Sequence, residues 1–102
     1  MGFKEIKNQV IKCIKEGAYD HEPRKHNISV KNLFDIGQIS EQEVIELIQC
    51  CSGNQYETSF HHKDISIKIH ILKPVKQEKT WYIKFYFLEP DVVFISVHES
   101  GD

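Results

Sequence analysis

Ile65-Ser66-Ile67-Lys68-Ile69-His70-Ile71 carries isoleucine at every odd position and a polar residue at every even one. Successive side chains of a strand point to opposite faces, so this run predicts a strand with one buried face and one wet face. Trp81-Tyr82-Ile83-Lys84-Phe85-Tyr86-Phe87 repeats the pattern, with Trp81, Ile83, Phe85 and Phe87 on the buried side. Val93, Ile95 and Val97 oppose Ser96 and His98 in the same way, and residues 56–61 form a fourth, weaker strand. Lys63-Asp64, residues 74–80 and Glu89-Pro90-Asp91 separate these runs, so consecutive strands are expected to pair as hairpins.

Upstream of residue 55 the period is that of helices. Phe3, Ile6, Val10, Ile11 and Ile14 fall on one helical face and Gly17 supplies a stop, which predicts a helix over about 3–16. Ser40-Glu41-Gln42-Glu43 has the S-x-x-E form of a capping box and is followed by Val44, Ile45, Leu47, Ile48 and Cys51, predicting a second helix over 40–51. Residues 18–27 are polar and read as a loop, after which Ser29 could cap a short helix through Leu33, Phe34 and Ile36 that ends at Gly37. The expected fold is therefore α+β, one domain over 1–102. Two or three N-terminal helices are expected to pack on one face of a four-stranded antiparallel sheet.

Composition narrows the classes. The 102 residues are 40% hydrophobic and 27% charged, as in ordinary globular proteins. No stretch approaches the roughly 20 apolar residues of a membrane helix, and the N-terminus has no apolar signal region. Three cysteines without a CxxC pair read as reduced thiols, so a cytoplasmic chain with no membrane association is expected. The net charge of −2 is unevenly spread: residues 58–84 carry six lysines against two acids, while residues 37–57 and 85–102 each carry four acids and no base. A basic block of this kind suits an anionic ligand such as phosphate. No Gly-rich phosphate loop or GxSxG is present, and His61, His62 and His70 lack partners at zinc spacing, so neither a metal nor a cofactor is expected.

Strand parity then selects a site. With the helices on the Ile/Trp/Phe/Val face, the open face collects Glu57, Ser59, His61, Lys68, His70, Tyr82, Lys84, Tyr86, Ser96 and His98. Hairpin registers centred on the turns put Lys84 between His70 and Ser96, Tyr82 beside His98, and Glu57 opposite His70. A phosphodiester can be cleaved without a metal by a base for the 2′-hydroxyl, a cation for the phosphate and an acid for the leaving oxygen. This face holds candidates for all three.

The segments Tyr56-Glu57-Thr58-Ser59, Lys73-Pro74, Trp81-Tyr82-Ile83-Lys84 and Val93-Phe94-Ile95-Ser96-Val97-His98-Glu99 together resemble the MqsR toxins of the RelE-like superfamily, over roughly residues 26–99. The resemblance implies that the four-stranded antiparallel sheet is curved. It also implies a metal-independent endoribonuclease acting on messenger RNA, neutralised by a cognate antitoxin and touching DNA only through that antitoxin. It matches Tyr82 to the family's catalytic tyrosine and Lys73 to its arginine before proline. His98 stands in place of a C-terminal-strand lysine, Glu57 in place of a first-strand lysine, and Ile69 in place of a glutamine, with His70 adjacent. The candidate catalytic set is thus Tyr82, His98, His70 and Glu57, with Lys68, Lys73, Lys84, His61 and Tyr86 to hold RNA. The alternative is a non-catalytic relative that binds RNA or a protein through the same sheet.

Overall fold

The computed structural model describes residues 2–22 and 32–100. Among the described residues two α-helices, α1 (Phe3–Glu16) and α2 (Glu41–Cys50), lie on one side of a mixed sheet. The strands are β1 (Tyr19–His21), β2 (Tyr56–Phe60), β3 (Lys68–Leu72), β4 (Val75–Lys76), β5 (Lys79–Leu88) and β6 (Asp91–Glu99). Gly17 ends α1 in the left-handed conformation at φ 73°, where a Cβ would be strained. The expected capping box begins α2: Glu43 N–H donates to Ser40 Oγ at 3.2 Å, and Ser40 N–H donates to Glu43 Oε1 at 3.0 Å. Lys7 of α1 closes the other end of α2 by donating to the carbonyls of Gln49 and Cys51 at 2.9 and 2.8 Å. A cation there also suits the negative end of the helix dipole. Ser29 lies outside the described residues, and residues 33–37 form successive turns, not a helix, with Gly37 at φ 78°.

The expected four-stranded antiparallel sheet is corrected: among the described residues it has six strands of mixed direction. The order is β1-β6-β5-β3-β2, with β4 folding back on β5 through a tight turn at Gln77-Glu78. Residues 18–22 were expected to be loop, but β1 runs parallel to β6, with Tyr19 opposite Val92 and His21 opposite Phe94. Its alternation is only three residues long, too short to register as a period. Beyond it Asn32 bridges to Val97, so β6 is paired along both edges.

Parity also departs from expectation in two strands. In β5, Trp81, Ile83, Phe85 and Phe87 face the helices as expected, packing with Leu72, Val92, Phe94 and Val97. Tyr82 pairs with His98 and Lys84 with Ser96, but the β5–β6 register shifts between Lys84 and Phe85, so that Phe85 pairs with Phe94. Ile95 is the extra residue of a β-bulge. Phe94 and Val92 therefore enter the helix-side core, and Val93 and Ile95, expected there, pack on the opposite face. In β3, Ile71 pairs with Lys84 and His70 with Phe85, a slip of one from the expected register. Ile69 and Ile71 consequently join Tyr86, Val93 and Ile95 in a second apolar cluster on the face away from the helices. The front half of the isoleucine run is not strand at all: Asp64–Ile67 is a turn, closed by the Ile67 N–H donating to the Asp64 carbonyl at 3.0 Å.

Among the described residues no helix is long and apolar enough to cross a membrane. The second cluster makes a measurable claim. Ile69 is 1% exposed and Ile65 is 80% exposed. Ile69→Ala should cost about 2 kcal/mol or more through a cavity, while Ile65→Ala should stay within roughly 0.5 kcal/mol, read as shifts of the urea unfolding midpoint. Equal small losses would contradict a packed second face.

Candidate functional site

Glu57, Ile71, Lys84 and Ser96 form one row across the face away from the helices, each pair set by the strand registers. The next row towards the end of β6 holds Tyr82 and His98. Their rings lie with centroids 5.3 Å apart and planes 27° apart, a stacked pair, both half-buried. His98 Nδ1 is 2.8 Å from the backbone oxygen of Glu99. A carbonyl can only accept, so Nδ1 carries the proton and, in the neutral ring, Nε2 is left with its lone pair. A base of this kind is oriented before any substrate arrives.

The cations are unequal. Lys73, two residues beyond Ile71, reaches Glu57 at 3.2 Å, and both side chains are about half exposed. Lys84 is half-buried at the centre of the sheet and makes no ion pair among the described residues. Glu57 faces Ile71, not His70, so its carboxylate serves Lys73.

His70 is corrected from the open face to the helix side. It is 5% exposed, lies against the rings of Phe85 and Phe87, and shares a 2.8 Å hydrogen bond through Nδ1 with the Tyr56 hydroxyl. Burial, followed by the nearby Lys68 charge, pushes its pKa down to about 4. Lys68 pairs with Phe60 and shares the parity of His70, so it leaves the Lys84 face as well. Tyr86 stays on that face but is 9% exposed. Burial, followed by the charges of Glu22 and Asp20, raises its pKa.

His61 is on the expected face but is not a free group. Its Nδ1 accepts from Lys63 N–H at 3.1 Å, which requires Nε2 to hold the proton, and Nε2 lies 2.8 Å from Glu22 Oε1. His62 stacks on it with centroids 5.0 Å apart and planes 9° apart. Between this pair and Lys84 opens a cavity of about 380 Å³, floored by Ile69 and Ile95 and walled by Glu22. No local pattern marks Glu22, because its position depends on β1: the Glu22 N–H donates to the Phe94 carbonyl at 2.9 Å, carrying the alternation of Tyr19 and His21 one residue further.

Among the described residues no three His, Cys, Asp or Glu side chains gather closely enough to hold a metal ion. No family model matches the chain, and neither the curated proteins nor the solved structures contain a match.

The buried imidazole sets a pH dependence. The unfolded chain protonates His70 near 6.5, while the native ring stays neutral to about 4. This contribution to stability is complete above pH 6.5 and falls as the pH drops from 6.5 towards 4. Ring-carbon NMR should show His70 neutral at pH 5.5, with the urea midpoint falling over that range and falling less in His70→Phe. A ring titrating near 6.5 would put His70 in solvent.

Proposed function

We propose that the chain is an endoribonuclease that cleaves RNA by acid–base catalysis without a metal, with Tyr82 and His98 at its centre. The observation that carries this reading is the anchored His98 ring, stacked on Tyr82 one row from Lys84. His98 Nε2 takes the proton of a 2′-hydroxyl, and the freed oxygen forms a bond to the adjacent phosphorus. Lys84 balances the negative charge that builds on the phosphoryl oxygens. The P–O5′ bond breaks and the leaving oxygen takes a proton from the Tyr82 hydroxyl, giving a 2′,3′-cyclic phosphate and a free 5′-hydroxyl. His98 then returns its proton to the Tyr82 phenolate, directly or through water, restoring both groups.

The resemblance to the MqsR toxins supports the same chemistry and adds a cytoplasmic setting, messenger RNA as substrate and a cognate antitoxin as partner. One observation favours the alternative, a relative that only binds RNA or a protein on this face. Glu57 pairs with Lys73, engaging one of the cations assigned to hold RNA.

Incubation of the purified protein with a mixed-sequence RNA separates the two. Cleavage should persist in excess chelator and leave 2′,3′-cyclic phosphate ends. His98→Ala should reduce it on the order of 10² to 10⁴-fold. The ring is half-buried and stacks on Tyr82 at the margin of the second apolar cluster, so its loss should shift stability by no more than about 1 kcal/mol. Unchanged cleavage in His98→Ala would remove His98 from the mechanism, and loss of activity in chelator would remove the acid–base reading.

A further inference from the structure

We propose that the cavity beside Lys84 is a base-reading subsite that accepts an unpaired nucleobase carrying an exocyclic amino group and rejects uracil; this rests on the reading of the face as an RNA site. The cavity, about 380 Å³, is at the small end of ligand pockets and suits one base with its sugar. Its floor is apolar, from Ile69 and Ile95, and the exposed His62 ring offers a flat surface, already stacked on His61, for a base to lie against.

The polar groups define the ligand further. Both nitrogens of His61 are occupied, Nδ1 by the Lys63 N–H and Nε2–H by Glu22, so that ring neither donates to nor accepts from a guest. The Glu22 carboxylate has about four acceptor positions, and His61 uses one. What remains is an acceptor wall at Glu22 and two cations at the lining, Lys84 and Lys63. A fitting molecule needs an apolar plane, N–H donors on one edge and a nearby anionic group. Cytosine and adenine present an amino group on their pairing edge, and guanine presents two adjacent donors. Uracil flanks its single N–H with two carbonyl oxygens, which a carboxylate repels.

The position suits a polynucleotide. Lys84 lies two residues along β5 from Tyr82, roughly 7 Å, about one nucleotide of an extended strand. A base seated in the cavity would therefore neighbour the phosphate presented to Tyr82 and His98, and Lys84 would serve both.

The test uses labelled 2′-O-methyl hexanucleotides, which bind but cannot be cleaved, made entirely of C, of A or of U, with affinity read by fluorescence anisotropy. The wild-type chain should bind C and A at least tenfold more tightly than U. In Glu22→Gln the side-chain oxygen still accepts from His61, while the new amide N–H₂ donates into the cavity, so the preference should move towards U by tenfold or more. His62→Ala, at an exposed position, should weaken C and A by about tenfold through lost stacking. Equal affinity for C and U in wild type, or a C-to-U ratio unchanged in Glu22→Gln, overturns the subsite while binding itself sustains the RNA reading. If Glu22→Gln does not fold, unchanged affinities in His62→Ala overturn it instead. Failure of all three oligomers to bind overturns both.

Discussion

Residues 92–97 of β6 are all buried, which a regularly alternating strand could achieve only if both faces of the sheet were covered along its length. Both faces are covered here, and the bulge at Ile95 sets which residue takes which face. Before it, Val92 and Phe94 face the helices; after it, Val97 does, opposite Ile83. Val93, Ile95 and Ser96 are left on the other side, the first two in the second apolar cluster and Ser96 in the row with Lys84. Without the extra residue, a β6 held by Val97 opposite Ile83 would turn Phe94 outward, and its contacts with Phe34, Phe85 and Tyr19 would be lost. Every later feature depends on this one inserted residue, because it fixes both where β1 pairs and which side chains surround the Tyr82–His98 pair.

The second consequence is a sheet with two unequal apolar layers. The large one, under α1 and α2, holds the fold together. The small one, around Ile69, Tyr86 and Ile95, floors the candidate site and gives it a water-poor base on which the charged groups stand. Low polarity beneath Lys84 strengthens its attraction for an anion compared with the same lysine in open water. The His61–Glu22 contact then joins the β2–β3 connection to β1 across this layer, tying two segments 39 residues apart.

The sequence showed the stop at Gly17, the capping box at Ser40, the strands β2, β5 and β6 and the Tyr82–His98 and Lys84–Ser96 pairs, since each follows from local pattern or from a short turn. It could not show the parity of β3. Ile69-His70-Ile71 alternates equally well in either register, and polarity argued for His70 outside. The structure buries His70 because Tyr56 supplies its hydrogen bond and Phe85 and Phe87 enclose its ring, all contacts distant in sequence. Bulges and three-residue strands leave the same gap: VVFISV reads as alternation only if no residue is inserted, and Tyr19-Asp20-His21 becomes a strand only when β6 lies beside it. Glu22, and with it the cavity wall, was hidden for that reason.

The proposed function requires the face away from the helices, centred on Tyr82, Lys84 and His98, to receive single-stranded RNA. Titration of isotope-labelled protein with a non-cleavable 2′-O-methyl oligonucleotide, followed by NMR of the backbone amides and the histidine rings, measures this directly. The largest shifts are predicted at Tyr82, Lys84, Ser96 and His98, with His61 and His62 moving as well and the buried His70 ring and α1 staying still. Shifts confined to the α1–α2 side, or none at saturating oligonucleotide, would contradict it.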